Sequence, residues 1–524
     1  MAKKYDSSSS LQEKILKGVD VLADNVASTL GPRGRNVILH KKGSNPIITK
    51  DGVTISKFVD FDDPFENAGA QIIKQVAART ADECGDGTTT STVLARAVLR
   101  EAQKYIVAGS SPVEIKRGMD KTVSAIVERL EEMSNPISSE EDIKHIATIS
   151  ANGDQLIGDL VVTAVDQAGK DGSITIEEAR SVETSLDLVE GFRFDSGYVS
   201  PQFINDEHRG AVKYNEPLLL VTDYNIDSVD QLLPVLEVVA RENRPFVIVC
   251  ENIEGQALAA VIMNALRGTL KVAAVKAPRY GEERRNILKD LALSVGATFV
   301  SQESELKLRD VSLSHLGYCK KIEIVKNGTV ITGGGGSLEE VDRKIESLKV
   351  ELEQTDSLYE CERIQERITR LASGVAIIRV GGSTEVEMVE KKHRVEDALE
   401  AVKSAQMEGI VIGGGAALVR ASHNLELDLD NEDQKIGSNI ICEAVKFPIK
   451  QMAINAGESP DLILSSVVSS DGDVGWDFAD NRLTNLYEAG VIDPVKVTRV
   501  ALQNAVSAAS TLITTNYAIV ESDH

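Results

Sequence analysis

Aromatic residues are scarce in this 524-residue chain: they make up 4% of it, with a single Trp. That leaves no stacking platform of the kind single-stranded nucleic acids need. Positive charge is also in the minority. Lys and Arg number 57 against 81 Asp and Glu, a formal net charge of −24, whereas nucleic-acid backbones and anionic membrane surfaces attract clustered cations. No apolar run approaches the ~20 residues that a membrane-spanning helix requires. The start, MAKKYDSSSS, lacks the apolar core of a secretory signal, so the expected address is cytoplasmic. The cysteines, Cys84, Cys250, Cys319, Cys361 and Cys442, are odd in number and never spaced as CxxC, which argues against a disulfide framework or a zinc site. They read as reduced and structural. Also missing are GxxxxGK[ST], HExxH and any visible Ser/His/Asp arrangement, so the common P-loop is excluded.

What is present is a long globular chain. At 56.5 kDa with a mean hydropathy of −0.10, it exceeds what one hydrophobic core supports, and two to four domains are expected. The stretch that organises it is Glu83-Cys84-Gly85-Asp86-Gly87-Thr88-Thr89-Thr90-Ser91-Thr92. After it, Val93, Leu94, Ala97, Val98 and Ala102 recur at helical spacing, so the threonines stand at a helix start whose free N–H groups and dipole favour anions. Gly85 and Gly87 admit backbone close to a ligand. Asp86 would repel a phosphate unless a cation lay between them, which implies Mg²⁺ bridging carboxylate and phosphate oxygens. A helix merely capped after a glycine turn explains the same residues, and the segment alone does not choose.

Along the chain, residues 11–30 form an amphipathic helix that breaks at Gly31-Pro32, followed by a Gly-rich turn through Arg35 and short strands at 36–39 and 46–49. These lead into Lys50-Asp51-Gly52. A helix over 113–132 ends before Asn135-Pro136, the first boundary. The next block is mixed, with Lys170-Asp171-Gly172-Ser173 turning into a strand at 174–176. From 190 to 375, strands at 218–222, 246–250, 271–275 and 298–300 alternate with helices at 228–243, 254–267 and 282–295, the rhythm of a layered α/β domain. Ser337 and Glu340 suggest a capping box for a long charged helical stretch with Val341, Ile345, Leu348 and Leu352 on one seam. A strand at 375–380, a helix over 385–408 carrying Asp397, and a third Gly-rich loop from Gly409 to Gly415 follow. Asp493-Pro494 is expected to cap a last helix reaching about Ile513.

Two helices of the alternating region carry more apolar surface than one sheet needs. Helix 228–243 has Leu233, Leu236 and Ala240 on one face and Leu232, Val235 and Val239 on another; helix 254–267 has Leu258, Ile262, Met263 and Leu266 beside Ala257, Val261 and Ala265. Either another helix covers the second face, or it is an exposed groove for partners.

Taken together, Thr29-Leu30-Gly31-Pro32, Lys50-Asp51-Gly52, Gly85-Asp86-Gly87-Thr88-Thr89-Thr90, Val272 to Pro278, Val395-Glu396-Asp397-Ala398-Leu399 and Gly413-Gly414-Gly415 occur in the order found in the GroEL-type group I chaperonins, which the chain resembles from end to end. The resemblance implies a multidomain chaperonin fold. Its parts would be a mainly α-helical equatorial ATP-binding domain (1–132 and 408–524), a small α/β intermediate domain (133–189 and 376–407) and a layered α/β apical domain (190–375). It also implies an ATPase using ATP and Mg²⁺, and admits K⁺ as a further cation. Asp86 would be the metal ligand. Asp51 and Asp397 would be catalytic, positioning the attacking water. Thr29, Leu30, Gly31, Pro32, Lys50, Gly87, Thr88, Thr89, Thr90, Gly413, Gly414, Asp477, Ala479 and Asp493 would surround the nucleotide. The implied apical groove, formed by Tyr198, Phe203, Leu233, Leu236, Leu258, Ile262 and Met263, would hold non-native polypeptides and a co-chaperonin lid, on a seven-membered ring that is single or stacked as a double ring. No nucleic acid or membrane partner is implied. Departures from the pattern are Gln202, Ser196, Asp477-Phe478-Ala479, the lack of a Gly-Gly-Met tail, and Lys450 with Ser459 where an Arg–Glu pair usually crosses between rings. An ATP-independent holdase and a simple soluble ATPase are the competing readings.

Overall fold

A computed structural model describes residues 2–41, 43, 46–168, 173–179, 181–207, 209–355, 357–372 and 374–522. The chain divides into two compact units. One comprises Met1–Val162, Glu178–Glu183 and Val380–His524; the other comprises Thr163–Glu177 and Thr184–Arg379.

The first unit is helical and draws on both ends of the chain. Strand Ala2–Ser7 pairs antiparallel with Tyr517–Ser522, and helices Ser8–Ala27, Pro64–Cys84, Thr88–Val107 and Pro112–Glu132 share one core with Glu432–Ala444 and Val495–Ile513. The periodic residues explain this. Leu11, Val19, Leu22 and Val26 of the first helix, and Leu94, Ala97, Val98 and Ala102 of the third, are fully buried, so each apolar stripe is covered by another. Helices Pro112–Glu132 and Glu432–Ala444 meet almost backbone to backbone. A Cβ on Gly118 would lie 2.0 Å from the Gln434 carbonyl oxygen, and one on Gly437 would lie 2.2 Å from that of Ile115. Overpacking at such a crossing costs about 3 kcal/mol. Gly118→Ala is therefore expected to lower the denaturation midpoint substantially while leaving the secondary-structure content of the surviving folded fraction unchanged by circular dichroism.

The second unit is built on a mixed sheet. Val272–Lys276, Phe246–Cys250 and Leu218–Val221 run parallel, and the sheet continues through Gly317–Val325, Gly328–Gly334, Ser185–Phe194, Gly374–Val380 and Ser173–Glu178. Phe246–Cys250 is buried at every residue, as a continuous apolar run in a parallel strand covered on both faces should be. Helices Val229–Glu242, Gly255–Leu266 and Gly281–Val295 alternate with these strands as expected.

Several local expectations are corrected. Residues 298–300 make one bridge, Thr222 to Val300, rather than a strand. The charged stretch is two helices, Leu338–Glu353 and Leu358–Ala372, and the Ser337 side chain makes no cap bond; of the seam, Leu348 is fully buried while Val341, Ile345 and Leu352 pack partly buried on the core. Ile410–Ile412 is a strand paired with Ile492–Pro494, which narrows the third glycine loop to 413–415. The same pairing places Asp493 opposite Val411 in a ladder, so the last helix starts at Val495 without a side-chain cap. Lys170, Asp171 and Gly172 lie outside the described residues. All five cysteines are free, and burial pushes the Cys84 thiol to about 11 and those of Cys250 and Cys319 to about 12, fitting the structural role expected of them. Among the described residues, no helix is long and apolar enough to cross a membrane.

Candidate functional site

Two turns of the first unit close on each other. Asp51 is the N-cap of helix Gly52–Phe58: its carboxylate accepts from the N–H of Val53 at 3.1 Å, the N–H of Thr54 at 2.9 Å and the Thr54 hydroxyl at 2.5 Å. Gly52 then faces the second turn. A Cβ there would stand 2.8 Å from Thr88 Oγ1 and 2.9 Å from Thr89 Oγ1, so only glycine leaves the hydroxyls of Thr88 and Thr89 a small polar cradle. Gly85 and Gly87 adopt φ of +72° and +81° and bracket Asp86 in a bend that a side chain would strain. Helix Thr88–Val107 begins directly after Gly87, and no side chain among the described residues caps it. Its first N–H groups are thus left for something else. They are open to water or to an anion, as the N-terminus of a helix is.

The other glycine loops are tied to this region through contacts that sequence patterns did not signal. Gly31, at φ +81°, sits against Met452, and Asn455 donates to the carbonyls of Ala27 and Leu30 at 2.8 and 2.9 Å. Arg33, inside the predicted turn but given no role, donates to the carbonyls of Phe478 and Ala479. Asp477 is buried and accepts from the N–H groups of Ala479 and Asp480 at 2.8 and 3.3 Å, which closes that turn. Gly413 leaves room for Asp493, whose Oδ1 would be 3.1 Å from a Cβ, and Gly414 lies under the carbonyl of Trp476. Thr29 behaves differently, since its hydroxyl is spent on the Val26 carbonyl of its own helix at 2.8 Å.

Acidic groups converge here. Asp86 accepts from its neighbour Gly87 N–H at 2.5 Å and from the Ser150 hydroxyl at 3.0 Å. Burial raises its carboxyl above the ordinary range, opposed by those two donors. Asp397, on helix Glu385–Glu408, is pushed well above the usual range by burial and then by the negative charges of Asp86 and Asp51. Burial, with Asp86 nearby, takes Asp493 to about 7. Lys50 is lowered by burial, between Glu390 and Arg394. The mutual repulsion of these carboxylates, beside uncapped helix N–H groups, would be relieved by a cation that carries its own anion. Among the described residues no three His, Cys, Asp or Glu side chains are assembled to hold a metal. A hard cation at Asp86 would therefore complete its shell with phosphate and water oxygens, as Mg²⁺ prefers.

The sequence-derived apolar set lies in the second unit, and it divides by burial. Leu232, Val235 and Val239, with Ala257 and Val261, are buried against the sheet, whereas Leu233, Met263 and Leu266 are 47%, 44% and 60% exposed. Leu258, Ile262 and Tyr198 are half-buried at the margin. Leu236 and Phe203 are buried and form the floor beneath that surface rather than part of it. Beside helix Gly255–Leu266 a cavity of about 570 Å³ is lined by Gln202, Phe203, Lys213, Leu266 and Lys271 among others.

Residues 22–523 match the TCP-1/cpn60 chaperonin family. The chaperonin gp146 from bacteriophage EL 2 (Pseudomonas aeruginosa), solved in the presence of ATP-BeFx in two crystal forms, superposes with TM-scores of 0.68 and 0.64 at 22% and 21% identity, each match covering 99% of both chains. At that identity the likeness establishes the fold. With the family match spanning nearly every residue, the motif order read from the sequence and the same architecture from end to end, the chain belongs to the TCP-1/cpn60 chaperonin family.

Proposed function

We propose that the chain is an ATP-dependent chaperonin whose Asp51, Asp86 and Asp397 serve hydrolysis and whose Leu233, Ile262 and Met263 surface binds non-native polypeptides. The observation that carries it is the uncapped start of helix Thr88–Val107 facing Gly52 across the Thr88 and Thr89 hydroxyls. Asp86 would hold Mg²⁺, and the bound Mg²⁺·ATP supplies a charge-neutralised phosphoryl group open to attack by water. The protein does the rest. Helix N–H groups and the Thr88 and Thr89 hydroxyls grip phosphate oxygens, Gly31 and Gly413-Gly414 let backbone approach the nucleotide, and Asp397 orients water and receives its proton. Asp51, already bonded to its own helix start through three donors, has one lone pair left, on Oδ1, to help fix that water. The division into equatorial, intermediate and apical domains at 133, 190, 376 and 408 belongs to the same reading, as do a cytoplasmic address and a co-chaperonin lid. The ATP-BeFx used with the phage chaperonin supports the choice of nucleotide.

The test is release. A denatured client held by the protein should refold when ATP is added and stay bound with a non-hydrolysable analogue; release with neither favours a holdase, and equal release with both overturns the need for hydrolysis. For the binding surface, Leu233→Ser and Met263→Ser are expected to abolish suppression of client aggregation while shifting stability by no more than about 0.5 kcal/mol, because both side chains are substantially exposed. Undiminished suppression in the double variant would remove the surface from the proposal.

Assembly follows the same reading. Seven copies of the 56.5 kDa chain give a ring of about 400 kDa, and a stacked pair of rings about twice that. Lys450, where the resemblance places a ring-to-ring contact, already has a partner in its own chain, Asp461 at 3.4 Å, and exposed pairs contribute only about 0–1 kcal/mol each. Native mass spectrometry is expected to find single rings in at least one nucleotide state. A double ring under every condition would contradict this.

A further inference from the structure

The Ser150 hydroxyl stands apart from every residue the motifs pick out. Ser150 is the last residue of helix Glu140–Ser150, 64 positions from Asp86 in sequence, and it donates to Asp86 Oδ2 at 3.0 Å. The other oxygen, Oδ1, takes the N–H of Gly87 in the same bend. The two donors divide the work. Gly87 fixes the carboxylate from within its own turn, whereas Ser150 reaches it from a different helix, one that packs along Glu385–Glu408, the helix bearing Asp397.

We propose that Ser150 is a positioning residue for the cation site: its hydroxyl orients the Asp86 carboxylate so that Oδ2 is correctly aimed when Mg²⁺·nucleotide arrives. The inference rests on the reading of Asp86 as the Mg²⁺ ligand. A hydroxyl needs only one hydrogen for this bond, and each carboxylate oxygen has a second lone pair to offer the cation. Partners of metal-ligating carboxylates commonly set metal affinity by 10–100-fold without touching the ion.

The experiment uses binding rather than turnover. Nucleotide binding to the full-length protein is followed through the fluorescence of the sole tryptophan, Trp476, whose carbonyl lies over Gly414, while Mg²⁺ is titrated at fixed ADP. Ser150→Ala is expected to raise the half-saturating Mg²⁺ concentration about tenfold, with metal-free ADP affinity and melting temperature close to wild type. Ser150→Thr, which keeps the hydroxyl, restores the wild-type value. An unchanged Mg²⁺ midpoint in Ser150→Ala overturns the proposal, and so does equal weakening of ADP binding with and without Mg²⁺. Should Ser150→Ala fail to fold, Ser150→Cys retains the shape with a weaker donor, and its midpoint must lie above those of wild type and Ser150→Thr; an unchanged midpoint overturns the proposal. Asp86→Asn is the control: if it too leaves the Mg²⁺ midpoint unmoved, the cation assignment itself is wrong, whereas a large shift there with none in Ser150→Ala refutes the positioning role alone.

Discussion

Asp397→Ala is expected to bind ATP with near wild-type affinity and assemble normally, yet to hydrolyse it at least about a hundredfold more slowly, the lower end of what a positioned proton acceptor contributes. The variant leaves the polar cradle of Gly52, Thr88 and Thr89, proposed to hold phosphate, and the Asp86 carboxylate untouched, so binding has no reason to fall. A second consequence separates this from mere damage. Burial and the neighbouring Asp86 and Asp51 raise the folded-state pKa of Asp397 above its unfolded value. The folded protein therefore holds that proton more tightly than the unfolded chain, and stability declines as pH rises from the ordinary carboxylate range through the raised value. Removing the carboxylate lifts this penalty. The nucleotide-free variant should melt higher than wild type at neutral pH and converge with it in acid. Single-turnover kinetics with a melting curve at several pH values decides, and loss of ATP binding, or a lower melting temperature at neutral pH, would defeat the assignment.

Asp86→Ala is expected to lose both binding and turnover. With the carboxylate gone, phosphate oxygens would meet a site whose remaining charges are negative, and a direct metal ligand is worth no less than the 10–100-fold typical of an outer partner; nucleotide affinity in Mg²⁺ should fall by about a hundredfold or more. The Ser150 hydroxyl and Gly87 N–H also lose their acceptor. Because the carboxyl of Asp86 is itself raised by burial, the variant should not be grossly destabilised without nucleotide. Wild-type affinity for Mg²⁺·ATP in this variant would remove Asp86 from the site.

The sequence was most informative where a backbone constraint demands a residue type. Gly52, Gly85 and Gly87 are positions where a Cβ would collide or strain the chain, and Gly413 is a tight fit at 3.1 Å; all four belong to the glycine motifs read from the sequence. Helices with one continuous apolar stripe were placed to within a few residues for the same reason, as was the buried strand Phe246–Cys250. What stayed hidden depends on distance in sequence. Ser150, Asn455 and the carbonyl partners of Arg33 act through one or two bonds each across 64 to 446 positions, and no local pattern carries such pairings. Asp493 shows the opposite error: Asp-Pro before a helix is a capping signature, but ladder pairing with Val411 took precedence. Phe203 and Leu236 were apolar for a simpler reason than partner binding, since both are buried in the unit's own core.

The strand formed by Ala2–Ser7 closes only when Tyr517–Ser522 is available, and this has a consequence for how the protein is made. A ribosome working at 5–20 residues per second needs on the order of half a minute to two minutes to deliver the second strand after the first. Throughout that interval helices Pro64–Cys84 and Thr88–Val107 lack the partner helix Val495–Ile513, and Ile73 and Leu94, fully buried in the finished unit, have no complete core to enter. The sheet unit between them can form earlier, because its strands all lie within residues 173–380. During its own synthesis the chain therefore exposes the same kind of apolar surface that its Leu233 and Met263 face is proposed to capture, and it is a candidate client of its mature form.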